Sequence, residues 1–318
     1  MKAPFPYFGG KSSVADLVWS ALGDCAHYIE PFCGTCAVLL KRPKRHKARI
    51  ETVNDADGVI VNVWRALRAA PDEVASWCDW PVNHADLIAR KKRLNGEYAG
   101  LVESLCADDE YYNAKLAGYY IWAASCWIGH GLIRPNQIPH ITCAGKGVHA
   151  AGQRPHITNA GSGVQEPYNL RLYDWFRALS ERMRYVRTVC GDWTRVCGGA
   201  WQDHCGVCGM FFDPPYSDVA GRDQRCYAVD SQNVAHDVRD WCRARGAQPT
   251  YRIVLAGYYD EHASLLDDGW RVHRWSAHGG YGNLGDADSP GKTNRHKESL
   301  FMSPHCLGAE ALLFDDAL

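Results

Sequence analysis

Apolar and polar positions along the chain fall into two alternating kinds of pattern. Short apolar runs bounded by turn residues predict strands at His27–Phe32 (HYIEPF), Arg49–Asn54 (RIETVN), Tyr185–Cys190, Met210–Phe212, Arg252–Ala256, Arg271–Trp275 and Ser299–Met302. Apolar residues at three- and four-residue steps predict helices at Val59–Ala69, Ala85–Leu94, Asp109–Ile128, Leu172–Met183 and Ala235–Arg245, with a helix-compatible run AVLLKR after the first strand. Strands alternating with helices predict an α/β sheet, and the helical stretch between the second and third strands reads as an insertion. The expected division is a discontinuous catalytic domain, residues 1–58 and 171–318, interrupted at 59–170 by a helical, loop-rich insertion. No internal repeat interrupts this pattern.

Composition narrows the classes. The 318 residues are 46% hydrophobic and 22% charged, which excludes a fibrous, disordered or coiled-coil chain. Apolar runs are far shorter than the roughly 20 residues of a membrane span, and the opening MKAPFPYFGGK has no apolar signal core, so a cytoplasmic protein is expected. The 14 cysteines then read as reduced thiols. Net charge is −1, but it is unevenly spread. Lys41–Arg49 (KRPKRHKAR) carries six Lys/Arg, and the Gly-, His- and Asn-rich stretch 129–165 carries Arg134, Lys146 and Arg154 with no acid. Both stretches suit phosphates or base edges, and both are equally legible as solvated loops.

In open α/β sheets ligands bind beyond the carboxyl ends of strands. Four strand ends carry candidate chemistry. Asp213-Pro214-Pro215-Tyr216 follows the apolar strand GMFF, and two prolines there turn the chain out of the sheet. A fixed carboxylate, a proline carbonyl and an aromatic face in one place suit an amino group conjugated to a ring. The oxygens accept its N–H bonds and Tyr216 stacks on the ring. Tyr7-Phe8-Gly9-Gly10-Lys11 opens the chain, Glu30-Pro31-Phe32-Cys33-Gly34-Thr35-Cys36 follows the first strand, and Asn54-Asp55 follows the second. An acid roughly twenty residues beyond a glycine turn is the expected partner of a ribose diol. Each motif alone is legible as loop punctuation; four in order at strand ends form a constellation.

In this order, FPYFGGK, EPFCGTC, ND, an insertion, DPPY and a closing NRHKESLFMSP, the chain resembles the Dam-type, alpha-group DNA adenine N6-methyltransferases nearly end to end. The resemblance implies a Rossmann-like, S-adenosylmethionine-dependent methyltransferase sheet with a mostly helical target-recognition insertion. It implies S-adenosylmethionine as cofactor and double-stranded DNA as partner, with the target adenine flipped out of the helix because its amine is otherwise paired. It places Tyr7 and Lys11 over the methionine end of the cofactor, with Phe32 and Gly34 as the floor. Asp55 falls on the ribose, and Asp192 of CGDW at the adenine edge. Asp213 serves both the cofactor side and the target amine, Pro214 falls on that amine, and Tyr216 on its base. Two departures stand out: Cys36 replaces the second glycine of the family's G-x-G, and the insertion does not follow the family's N-G-L-x-R pattern.

Close alternatives are an N4-cytosine or an RNA adenine methyltransferase. The Asp of DPPY tilts towards adenine, and the absence of a Pro-Cys dipeptide counts against a C5-cytosine enzyme. From other classes come a zinc-stabilised, non-catalytic nucleic-acid-binding protein using Cys190, Cys197, Cys205 and Cys208, and a thiol oxidoreductase using Cys33 and Cys36. The first spacing, C-x6-C-x7-C-x2-C, matches no common zinc ribbon, and no metal is expected.

Overall fold

The computed structural model describes residues 1–5, 10–46, 50–81, 83–126, 132, 168–198, 204, 206–215, 233–275 and 298–308. In chain order its elements are α1 (Ala15–Leu22), β1 (His27–Glu30), β2 (Ile50–Asp55), α2 (Gly58–Ala69), α3 (Pro71–Cys78), α4 (His84–Glu97), α5 (Leu101–Ala107), α6 (Ala114–Cys126), α7 (Tyr168–Met183), β3 (Arg187–Cys190), α8 (Thr194–Cys197), β4 (Cys208–Phe212), α9 (Val234–Gly246), β5 (Tyr251–Tyr258), α10 (Tyr259–His262), β6 (Arg271–Arg274) and β7 (Glu298–Met302). They fall into two compact units, one of residues 1–10 and 55–192, the other of residues 11–54 and 193–318.

The second unit is a mixed sheet with helices. Its strands lie in the order β2-β1-β4-β5-β7-β6. β2, β1, β4 and β5 run parallel, and β7 pairs antiparallel with both β5 and β6. All four residues of β1 and all five of β4 are buried, as expected of parallel strands covered on both faces. The connection from β1 does not form the helix that AVLLKR allows. Only a 3₁₀ turn forms, over Leu39–Lys41, ahead of Pro43, and a proline two residues on disfavours any continuation. α1 went unmarked in the sequence pattern, although Val18, Trp19 and Leu22 bury one face and Gly23, with φ +61°, stops it.

The first unit is mainly helical. Asp57 caps α2 by accepting the Val59 N–H. Asn113 caps α6 by accepting the Leu116 N–H, which is why this helix starts at Ala114 and not near Asp109. Asn62 of α2, fully buried, exchanges two hydrogen bonds with the Asn113 backbone and so ties α2 to the start of α6. α3 crosses α6 at Gly118, where a Cβ would stand 2.4 Å from the Cβ of Trp77. Only glycine allows so close an approach.

α7 buries Leu172, Phe176, Leu179 and Met183 and packs on α2 and α3. Residues 171–192, expected with the catalytic domain, therefore fall in the same unit as the helices of the insertion. No helix among the described residues is long and apolar enough to cross a membrane.

Candidate active site

The sheet unit brings Lys11, Phe32, Gly34, Asp213 and Pro214 to the carboxyl ends of its parallel strands. β1 ends at Glu30 and releases the chain into Pro31–Cys36, while β4 ends at Phe212 and releases Asp213-Pro214-Pro215. β1 and β4 are hydrogen-bonded neighbours, so the EPF and DPP turns leave adjacent strands at the same edge.

The β1 turn is held from three sides. The Glu30 carboxylate, 2% exposed, accepts from the Tyr28 hydroxyl at 3.0 Å and from the Leu39 N–H at 3.3 Å. Asn54, at the end of β2, donates its side-chain amide to the Pro31 carbonyl and accepts the Cys33 N–H with its own carbonyl, both at 2.9 Å. Asn54 thus acts on the neighbouring turn, a role its place beside Asp55 in the sequence did not disclose. Gly34 has φ +44° and Cys36 φ +52°. Gly34 takes that left-handed conformation freely. Cys36 does so with a Cβ, at a cost of about 1–2 kcal/mol, and its side chain is fully buried.

At the β4 end Lys11 and Asp213 form an ion pair, Nζ to Oδ1 at 2.9 Å, with side chains 4% and 19% exposed. Burial alone would lower the Lys11 ammonium pKa, but the charges of Asp213 and Glu298 outweigh it and raise it. For Asp213, burial raises the carboxyl, Lys11 opposes that rise, and Glu298 adds to it. The lysine therefore favours the ionised form of a buried carboxylate and holds it in place. Glu298, first residue of β7, is a third charge of this site that the sequence reading passed over. Its signal was present in NRHKESLFMSP, just ahead of the closing strand.

Aromatic rings cluster around the ends of β1 and β4. Phe32 lies 6.5 Å from Trp193, nearly parallel at 29°, and Trp193 meets Phe212 and Trp241 edge-on. Trp193 was hidden in CGDW, where Asp192 drew the attention.

Asp55 and Asp192 belong to the helical unit and are described with it. Asp55 accepts the Asp57 N–H at 2.9 Å with Oδ1, and its carbonyl accepts the Gly191 N–H at 3.0 Å, which ties the end of β3 to it. Tyr7 and Tyr216 lie outside the described residues, as does the 129–165 stretch apart from Leu132.

The competing sites fare differently. Cys33 and Cys36 are 4% and 0% exposed, without the access that a dithiol centre needs. Cys197 and Cys208 are buried and Cys190 is half-buried, and Cys205 lies outside the described residues. Among the described residues no group of three or more His, Cys, Asp or Glu is placed to hold a metal ion. The basic run at 41–49 is partly structural. Arg42 donates to the Cys25 carbonyl, lies 4.9 Å over the Trp19 ring and pairs with Glu51 and Asp24.

Residues 7–100 match the family model of the D12 class N6 adenine-specific DNA methyltransferases. That span contains the glycine-lysine opening, the EPF turn and the ND pair, and it continues through α4. No curated protein matches the chain.

Proposed function

We propose that this chain, an adenine-specific DNA methyltransferase by its match to the D12 class, takes its methyl group from S-adenosylmethionine and acts on an adenine flipped out of duplex DNA. The single observation that carries this reading is the buried Lys11–Asp213 pair at the end of β4, beside the EPF turn of β1. An exocyclic amine needs acceptors for its two N–H groups, held still, so that its nitrogen faces the electrophile. The Asp213 carboxylate and the Pro214 carbonyl are such acceptors, and Lys11 favours the charged form of the first and fixes it. Lys11 is thus a positioning residue for Asp213. Tyr216 is the partner for the base plane.

The donor set fits the cofactor. Within the sheet unit Gly34 offers backbone without a Cβ at the end of β1, and Phe32 beside Trp193 offers an apolar face; Asp55, of the helical unit, is the carboxylate the resemblance assigns to a ribose diol. When bound, the cofactor supplies an electrophilic methyl group on a sulfonium. The sheet, parallel from β2 to β5 with an antiparallel β7 inserted before β6, supports the Rossmann-like methyltransferase reading. The helices of residues 59–170 are the proposed target-recognition insertion.

The test is product identity. Duplex DNA of mixed sequence is incubated with the protein and methyl-labelled S-adenosylmethionine, digested to nucleosides and weighed by mass spectrometry. N6-methyldeoxyadenosine is expected. N4-methyldeoxycytidine, or methylation of RNA alone, would replace this reading with the corresponding alternative.

A further inference from the structure

Arg90, Lys91, Lys92 and Arg93 are four consecutive cations on α4, and the sequence pattern gave them no role. Two of them point inward. Lys91, 4% exposed, donates to the Leu132 carbonyl at 2.7 Å. Arg90, 5% exposed, donates to the Trp77 carbonyl and lies 4.3 Å from the ring centres of both Tyr119 and Trp122 and 5.2 Å from that of Trp80. Above this buried guanidinium opens a cleft of about 760 Å³ between α3, α4 and α6, walled by Trp77, Trp80 and Tyr119 and edged by Lys92 and Arg93. It lies within the helical unit, remote in sequence from the Asp213 turn.

The cleft has the parts of a stacking site. Trp80 is 42% exposed, yet its ring is fixed, because its indole N–H donates to Asp86 at 2.7 Å. Lys115, which is not in the lining, stands 4.4 Å over the Trp77 ring. The two carboxylates of the lining are engaged: Asp86 by that indole, and Glu97 by Arg93 at 2.6 Å and by the Asn113 side chain. Lys92 is exposed and makes no ion pair among the described residues. The unpaired cation beside aromatic walls suits a planar, aromatic and anionic occupant, and a volume within the roughly 300–1,000 Å³ of ligand sites admits it. Exposed, rigid aromatic rings beside a cationic edge are how proteins hold unpaired nucleotides.

We propose that this cleft holds an unpaired nucleotide of single-stranded DNA, with the base against Trp77 and Trp80 and the phosphate on Lys92. The inference rests on DNA being the substrate, as argued above. It adds a contact for unpaired strand that is separate from the pocket for the target base.

The full chain is titrated into a labelled, adenine-free oligothymidylate and followed by fluorescence anisotropy. Binding is expected, weakened tenfold or more by Trp80→Ala. Lys92→Glu, which disturbs no packed contact, is expected to weaken it similarly and to flatten its salt dependence. The inference is overturned if wild type does not bind the oligomer or if Lys92→Glu binds it within twofold of wild type. It is also overturned if the variants lose a blunt duplex of equal length to the same extent, which marks a duplex-backbone site. Methyl transfer to duplex DNA, measured alongside, separates the two claims. Transfer without oligothymidylate binding sinks the inference alone, and oligothymidylate binding without transfer sinks the proposed activity alone.

Discussion

Replacing Lys11 by Met removes the cation from a pair whose partner stays buried. At 2.9 Å and an effective dielectric of about 20, the attraction lost is roughly 6 kcal/mol. Desolvating Lys11 no longer costs anything in the variant, so the net loss is smaller; stripping one member from a buried pair costs about 3–5 kcal/mol. Asp213 keeps 19% side-chain exposure, which sets the expected loss near the lower end, about 3 kcal/mol. The loss depends on pH. Burial already raises the Asp213 carboxyl and Lys11 is the main group opposing that rise, so the variant raises it further.

A raised carboxyl takes up its proton as the pH falls, which ends the penalty of an unpaired charge. The deficit of Lys11→Met against wild type is therefore fully present in mildly alkaline buffer and shrinks towards the ordinary carboxylate range. Urea unfolding of wild type, Lys11→Met, Asp213→Asn and the double variant at pH 8 and pH 5 measures this. The cycle is expected to show coupling of about 2–3 kcal/mol at pH 8, and Asp213→Asn is expected to restore much of the stability that Lys11→Met loses. A deficit equal at both pH values, or coupling below about 0.5 kcal/mol, would refute the assignment of Lys11 as the partner that keeps Asp213 charged.

Two further outcomes follow from particular residues. Cys36→Gly relieves a left-handed backbone strain of about 1–2 kcal/mol and gives up a buried thiol of similar worth, so its unfolding midpoint should stay within about 1 kcal/mol of wild type. Cys36→Val puts a β-branched residue at φ +52° and should cost at least about 3 kcal/mol; two variants of equal stability would show that the turn relaxes freely.

Asp57 offers a pH-dependent counterpart. Burial, and then the Asp55 charge, raise its carboxyl to about 7. The folded chain then holds a proton that the unfolded chain has released, so stability falls as the pH climbs from about 4 to about 7. Asp57→Asn keeps an acceptor for the helix cap and should flatten that decline, gaining on the order of 3 kcal/mol over wild type at pH 8. Parallel pH curves for the two proteins would count against it.

What the sequence disclosed and what it withheld divide along physical lines. β4 and β5 announce themselves because parallel, two-sided burial makes continuous apolar runs, β1 and β7 as short runs bounded by turn residues, and α2 and α7 because a buried stripe recurs at helical steps. Asp213 and Gly34 are legible as site residues because prolines and glycines mark where a strand must turn out. The partners of those residues are not legible, since they come from distant sequence. Lys11 meets Asp213 across some two hundred positions, Trp193 backs Phe32, and Asn54 clamps the Pro31 turn from the next strand.

Short helices were the other loss. α1 and α3 offer one buried face over only eight residues each, too short for a periodic pattern to stand out, although Pro71 with Asp72 and Glu73 is a legible start signal. The cations of α4 escaped notice because a charge run reads as solvated surface. Only the fold shows that Arg90 lies under three aromatic rings.

The central claim is that the Asp213 carboxylate orients the adenine amine for methyl transfer. Single-turnover transfer of labelled methyl to duplex DNA, with cofactor and DNA both saturating and wild type compared with Asp213→Ala, tests it most directly. Loss of an orienting acceptor predicts a fall in the transfer rate of about a hundredfold or more, with N6-methyldeoxyadenosine as the wild-type product. Transfer by Asp213→Ala within about threefold of wild type, a difference well under 1 kcal/mol in the barrier, would contradict it.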